Sequence, residues 1–374
     1  MKTVQFGIVS YNIYCNFTNY GSALQSWALM QAVDKLGKDK WQVKLIDYCP
    51  DVLMDKNPLD PIKHMLDTDE ESRKMCELSM PAIQENYYKF NQFYNKKIKK
   101  TIKKYTSYNF NDVVTDENID GFICGSDTIF CIDEFNGFDD GYYGNYDCMK
   151  KGYTVAYAAS FGDAHFHDKD YLILKNRLKN FKAIGLRETT MISYVRNHTF
   201  VPLQQVIDPT LLLTSDDYDK IIAPKLIKRK YLLLYARRYN PKMSAYAEKL
   251  AQSNGWTIIE ISLRATNAQK HKMFYEAGVE EFLSLVKHAE FVVTNSFHGI
   301  IFSVQYKKTF AAFSRDQCDN KILELMDLFG LRDKIKVTGE EVTQEIDYDA
   351  VHKRIEAARI NSLNFLTLEL EGCK

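Results

Sequence analysis

The chain has 374 residues, more than one hydrophobic core usually organises, so two domains are expected. Hydrophobic residues make up 45% and charged residues 26%, ordinary values for a soluble globular protein. Lys plus Arg equals Asp plus Glu at 49 each, so no global charge draws the chain to nucleic acid or to an anionic membrane.

The 24 Tyr and 22 Phe suit either a protein that handles sugars or a well-filled core. The eight cysteines form no Cys-x-x-Cys pair and no Cys/His cluster with zinc spacing, so neither a disulfide framework nor a metal site is expected. The start, Met1-Lys2-Thr3-Val4-Gln5-Phe6, does not read as a signal peptide. No run reaches the ~20 apolar residues that span a bilayer. A cytoplasmic, reduced protein is the expectation.

Short apolar runs alternate with helical patterns, which predicts α/β architecture with largely parallel strands. Val4–Val9 reads as a strand. Ser22–Leu36 follows with apolar residues near a 3.6 period, ended by Gly37, and Val43–Ile46 is a second strand. Residues 55–110 are rich in Lys, Asn and Tyr. They read as a solvated helical insertion in the N-terminal lobe, or as a basic face in peripheral contact with a membrane surface. Strands are then predicted at Gly121–Cys124, Thr154–Ala159, Ala183–Leu186 and Val206-Ile207. In the second half, strands are predicted at Tyr231–Ala236, Trp256–Ile261, Phe291–Val293 and Thr309–Phe313. Helices are predicted at Pro241–Ser253, Glu280–His288, Gly299–Tyr306, Asn320–Phe329 and Tyr348–Leu368. The expected division is 1–205, 206–345 and a closing helix over 346–374.

In parallel sheets ligands bind outside the carboxyl ends of the strands, so strand-terminal residues matter most. Those positions collect small polar groups: Asn19, Ser22, Ser126, Asp127, Ser160, Thr294, Asn295 and Ser296. They also collect the charges Arg187, Glu188, Asp208 and Arg237, and one histidine, His298. Helices predicted just after Tyr20, Arg187 and His298 offer N–H groups to an anion, and an arginine beside one can grip a phosphate or carboxylate. An anionic donor and a hydroxyl-rich acceptor follow. Each residue also has a plainer reading. His298 can be a structural histidine, Asp127 a turn or helix cap, and Arg187-Glu188 a surface ion pair. Asp208-Pro209-Thr210 can be a turn, Arg237-Arg238 solvated, and His165 and His167 exposed in a loop. The absence of Gly-x-Gly-x-x-Gly, Walker A, His-Glu-x-x-His and Gly-x-Ser-x-Gly patterns argues against common dehydrogenases, P-loop enzymes, zincins and α/β-hydrolases.

Taken in order, several segments resemble the polysaccharide pyruvyl transferase family. They are Asn19-Tyr20-Gly21-Ser22-Ala23-Leu24-Gln25, Gly125-Ser126-Asp127, Ala156-Tyr157-Ala158-Ala159-Ser160-Phe161-Gly162, Arg187-Glu188, Asp208-Pro209-Thr210, and Phe291 to Gly299. The resemblance implies two Rossmann-like lobes similar to the B-type glycosyltransferase fold. It implies transfer of pyruvate from phosphoenolpyruvate to a sugar of a cell-surface polysaccharide or its lipid-linked precursor, as a ketal, with no metal or cofactor, in the cytoplasm or at the inner face of the membrane. It implies His298 as the active-site histidine and Arg187 as a donor contact. Asp127 is the expected base or acceptor anchor; Ser296, Gly299 and Asn295 fall on the donor side; Asn19, Tyr20, Ser126 and Ser160 fall on the acceptor side. Some family members carry arginine where Ser296 stands, so one donor contact is expected from Arg237, Arg238 or Arg315. The competing readings are a glycosyltransferase with a nucleotide-sugar donor and a non-catalytic carbohydrate-binding protein of envelope assembly.

Overall fold

Buried parallel strands need apolar side chains on both faces, and the chain supplies them in short runs such as Tyr231-Leu232-Leu233-Leu234-Tyr235, buried throughout. A computed structural model gives the structure of the protein and describes residues 3–11, 18–60, 70–162, 164–262, 267–314, 319–336, 339 and 345–373. In chain order the first elements are β1 (Val4–Val9), α1 (Tyr20–Gly37), β2 (Trp41–Tyr48), α2 (Glu70–Lys97), β3 (Lys100–Tyr105), α3 (Val113–Glu117), β4 (Gly121–Cys124), α4 (Asp147–Lys151), β5 (Tyr153–Ala159), α5 (Asp168–Leu178), β6 (Ile184–Leu186), α6 (Thr189–Arg196) and β7 (Leu203–Gln205). They are followed by α7 (Ser215–Tyr218), β8 (Tyr231–Tyr235), α8 (Pro241–Asn254), β9 (Thr257–Ile261), β10 (Lys272–Met273), α9 (Val279–His288), β11 (Phe291–Thr294), α10 (Phe297–Gln305), β12 (Phe310–Phe313), α11 (Asp319–Phe329), β13 (Ile335–Lys336) and α12 (Tyr348–Glu371).

The chain divides into two α/β units. The first comprises Met1–Asp55, Tyr94–Leu213 and Ile355–Lys374; the second comprises Lys56–Phe93 and Thr214–Arg354. This differs from the division expected at 205 and 345. Residues 56–93 cluster with the second unit rather than the N-terminal one. There Asn86 Nδ2 bonds the Ala277 carbonyl, and Lys89 pairs with Glu281 at 2.8 Å. Neither α2 nor α12 respects the division: each starts in the second unit and ends in the first.

The first unit holds a parallel sheet in the order β3-β2-β1-β4-β5-β6-β7. The second holds a parallel sheet in the order β10-β9-β8-β11-β12-β13. In each, the strand order reverses once, between β1 and β4 and between β8 and β11. Loops leaving the two strands of such a pair diverge to opposite faces and leave a crevice at their carboxyl ends.

Two strands differ locally from the sequence expectation. Lys100–Tyr105 forms an edge strand, not helix. Its lysines pair with carboxylates of neighbouring elements, Lys100 with Asp47 at 3.0 Å and Lys103 with Asp116 at 2.8 Å, while Lys99 just before it pairs with Asp34 at 3.1 Å. A basic edge also discourages pairing with another chain. The strand expected at Val206-Ile207 lies at Leu203–Gln205. Among the described residues no helix is long and apolar enough to cross a membrane.

The aromatic content is largely core. Tyr48, Phe110 and Tyr142 are fully buried, and Phe110 stacks on Tyr146 with centroids 4.4 Å apart. Tyr48 donates its hydroxyl hydrogen bond to the Asp139 carboxylate at 2.9 Å, and the Tyr142 N–H donates to it at 3.0 Å. Burial pushes the Asp139 carboxyl up to about 6, against these hydrogen bonds, which favour its charged form. A raised acid binds its proton more tightly folded than unfolded. Its contribution is therefore complete below pH ~4 and is lost as pH rises through 6. Asp139→Asn removes that titration. Between pH 4 and 7 the wild-type melting temperature is expected to fall relative to that of the variant, by the equivalent of roughly 1–3 kcal/mol. Parallel melting curves of the two proteins across that range would show it.

Candidate active site

In the first unit the site is built on the carboxyl ends of β1, β4, β5 and β6. Asn19 caps α1, its Oδ1 accepting from the N–H groups of Gly21 at 3.0 Å and Ser22 at 3.4 Å. The helix therefore begins at Tyr20, and Asn19 is a cap whose carbonyl is already occupied. Tyr20 is buried. Ser22, in the first turn, points its hydroxyl at Asp127 Oδ2, 3.2 Å away.

Asp127 follows β4 through Gly125 and Ser126. A Cβ at Gly125 would lie 2.0 Å from the Tyr157 carbonyl oxygen, so only glycine lets the two backbones approach. The Gly125–Ser126 peptide is cis. Ser126 donates to the Ala158 carbonyl at 2.7 Å, which makes it part of the scaffold. Asp127 itself has φ +78°, and Ala158 on the neighbouring strand has φ +50°. Left-handed backbone at non-glycine residues is uncommon and gathers at functional sites. The two segments are joined by the Ser160 N–H, which donates to the Asp127 carbonyl at 2.9 Å.

Arg187, just past β6, lies in this group with its side chain 7% exposed. Its Nη1 donates to Asp208 Oδ2 at 2.6 Å and its Nη2 to Asp127 Oδ1 at 3.4 Å. Burial disfavours the guanidinium charge, but Asp208 and Asp127 outweigh it and hold the proton more firmly than usual. Asp208 caps the turn at Pro209–Leu211, accepting from Thr210 N–H at 2.9 Å and Thr210 Oγ1 at 2.6 Å. Glu188 is buried and accepts from the Ser160 hydroxyl. Arg187-Glu188 is thus no surface ion pair, and Asp208 is both a turn residue and a charge partner. Three carboxylates, Asp127, Asp208 and Glu188, surround one guanidinium. Such a group is not a ready anion clamp; it suits hydroxyls.

In the second unit β11 runs into Asn295, Ser296 and α10. The helix starts at Phe297, two residues earlier than predicted, so His298 lies inside its first turn. Ser296 is the cap: its Oγ accepts from Gly299 N–H at 3.2 Å. Gly299 permits close packing, since a Cβ there would sit 2.4 Å from Thr294 Oγ1. Thr294 Oγ1 donates to the Tyr235 carbonyl at 2.7 Å, and Asn295 is 1% exposed. His298 is 8% exposed. The loop that carries His298 is therefore held by Ser296, Thr294 and Asn295 before any ligand arrives. Of the arginines expected to complete the donor contacts, Arg237 and Arg238 follow β8, while Arg315 lies outside the described residues. His165, expected in an exposed loop, is exposed and bonds Asp133 at 2.9 Å.

Sequence reasoning placed Ser22, Glu188 and Asp208 at strand ends but gave them no site role. Their contacts join residues 105, 28 and 21 positions apart, which no local pattern reports.

A family model described as polysaccharide pyruvyl transferase matches residues 19–317. No curated protein matches the sequence. Among solved structures, the UDP-GlcNAc 2-epimerase from Neisseria meningitidis bound to UDP-GlcNAc aligns at 8% identity and a TM-score of 0.49, over 99% of this chain and 100% of that one. The UDP-GlcNAc 2-epimerase from Methanocaldococcus jannaschii aligns at 12% identity and a TM-score of 0.47, over 94% and 92%.

Replacing Arg187 with methionine leaves buried carboxylates without their counter-charge. Breaking such a group by removing one partner is expected to destabilise by roughly 3–5 kcal/mol. The Arg187→Met melting temperature should fall well below wild type at pH 7.5. The gap should narrow below pH 5, where the carboxylates take up protons; a gap independent of pH would count against the charge argument.

Proposed function

The chain belongs to the polysaccharide pyruvyl transferase family and is a transferase; we propose that it moves pyruvate from phosphoenolpyruvate onto a sugar of a cell-surface polysaccharide or its lipid-linked precursor, as a ketal. The observation that carries this reading is the family match, which spans every residue of the two strand-end groups. The acidic, hydroxyl-lined group around Asp127 supports a polyol as the ligand of the first unit.

In the proposed reaction the methylene carbon of phosphoenolpyruvate takes a proton, and the adjacent carbon becomes electrophilic. A sugar hydroxyl attacks that carbon and gives up its proton to a base. The bond from this carbon to the phosphate oxygen breaks, and inorganic phosphate leaves with its electron pair. A second hydroxyl adds to the same carbon and loses its proton, closing the ketal. His298 is proposed as the acid, because imidazole transfers protons readily near neutral pH. Asp127 is proposed as the base. Arg187 is a positioning residue for it: the guanidinium holds one oxygen of the Asp127 carboxylate, and the Ser22 hydroxyl holds the other.

Release of inorganic phosphate from phosphoenolpyruvate, dependent on an added sugar acceptor, tests the reading. His298→Ala and Asp127→Asn are each expected to lower the rate by about 10²–10⁴, His298→Ala with a melting temperature near wild type and Asp127→Asn with a lower one, because it removes a charge partner of the buried Arg187. Full activity in His298→Ala would sink its assignment. Phosphoenolpyruvate is expected to stabilise the wild type in a thermal-shift assay by about 2.7 kcal/mol at a hundredfold excess over its dissociation constant. Stabilisation by a nucleotide sugar instead would favour a glycosyltransferase, and binding of sugar alone, without turnover, a carbohydrate-binding protein.

A further inference from the structure

The first unit's arginine is taken up by carboxylates, so a phosphorylated donor needs a cation elsewhere. We propose that Arg237 holds the donor's phosphate or carboxylate, and that Asn295 is the residue that positions it. The proposal rests on the phosphorylated donor inferred above.

The observations lie within the second unit. β8 and β11 are adjacent and parallel, with Tyr235 opposite Thr294. They are also the pair at which this sheet's strand order reverses, where the crevice for a ligand opens. Asn295 is the first residue past β11, and Arg237 the second past β8. The buried Asn295 side chain ties the two together at both ends of its amide: Oδ1 accepts from the Arg237 N–H at 2.8 Å, and Nδ2 donates to the Arg238 carbonyl at 2.8 Å. Only an amide of this length does both. Aspartate would lose the donor, and leucine would lose the donor and the acceptor. The Thr294 hydroxyl adds a third tie, to the Tyr235 carbonyl at 2.7 Å.

The backbone at Arg237 is therefore fixed to the segment that carries His298 three residues later, while the Arg237 side chain stays exposed. No carboxylate among the described residues forms an ion pair with Arg237, in contrast to Arg187 with Asp127 and Asp208. A guanidinium on a held backbone, beside the crevice and without a counter-ion among the described residues, is suited to bidentate recognition of phosphate or carboxylate.

The test is titration calorimetry of phosphoenolpyruvate, and separately of inorganic phosphate, against wild type, Arg237→Ala, Arg237→Lys, Asn295→Ala and the Arg237→Ala/Asn295→Ala double variant. Arg237→Ala is expected to weaken phosphoenolpyruvate binding tenfold or more, with part of it recovered in Arg237→Lys. Asn295→Ala should weaken it by a similar factor, and the double variant no further than Arg237→Ala alone, because a positioning residue has nothing to act through once the arginine is gone. Unchanged affinity in Arg237→Ala overturns the proposal and leaves the donor reading standing. Phosphate binding that depends on Arg237, with no binding of phosphoenolpyruvate, keeps the anion site and overturns the donor reading. Losses that simply add in the double variant reject the role of Asn295. A wild type that binds neither probe rejects the site.

Discussion

A guanidinium taken out of water must find carboxylates, and Arg187 finds Asp208 at 2.6 Å and Asp127 at 3.4 Å. Much of the first unit's site follows from that requirement. Asp208 can reach Arg187 only because it caps the turn at Pro209–Leu211, which sets its other oxygen on Thr210. Asp127 can reach it only because the chain turns sharply after β4, and that turn needs glycine at 125 where the Tyr157 carbonyl leaves no room for a Cβ. Ser22 completes the arrangement from α1. Three strand ends and a helix start are thus fixed by one buried charge and its partners.

At the end of β11 the second unit solves the same geometric problem with hydrogen bonds. Its strand-end loop is held by neutral hydrogen bonds, from Thr294, Asn295 and Ser296, and by the close approach that Gly299 allows. Neutral bonds leave the local charge unassigned, so nearby cations keep their electrostatic capacity. Gly125 and Gly299 do equivalent work in the two units: each lets a polar loop pass tightly over a strand end. A side chain at either position would push the loop, and with it Asp127 or His298, away from where the strands place it.

The order of strands and helices was legible because buried parallel strands are short apolar runs and the helices between them carry a 3.6 period. Val4–Val9, Gly121–Cys124 and Tyr231–Tyr235 stand out on that basis alone. Lys100–Tyr105 did not, because an edge strand is solvated on one side and this one carries three lysines whose partners, Asp47 and Asp116 among them, lie far along the chain or on other elements. β10 and β13, of two residues each, are too short to leave a pattern. The grouping of residues 56–93 with the second unit brings together residues such as Lys89 and Glu281, 192 positions apart, which periodicity does not encode. At the site, strand-terminal polar residues could be picked out, including Asp127, Arg187 and His298. What could not be read was pairing. Nothing local says that Ser22 meets Asp127, or that the carboxylates bonded to Arg187 are Asp208 and Asp127.

That missing information changes the electrostatic argument. An arginine at a strand end suggests an anion site, and the sequence favoured Arg187 for that reason. Once its partners are known, the sign reverses: the group around Arg187 carries more carboxylate than guanidinium, and an incoming phosphate would meet Asp127 and Asp208 as like charges. Hydroxyls meet no such barrier, since a carboxylate accepts their hydrogen bonds and can take their protons. The charge left uncompensated, not the charge present, therefore decides what each strand-end group can bind. By that criterion the group around Asp127 suits hydroxyls, and an anion is better matched by an arginine whose backbone is fixed by a neutral amide.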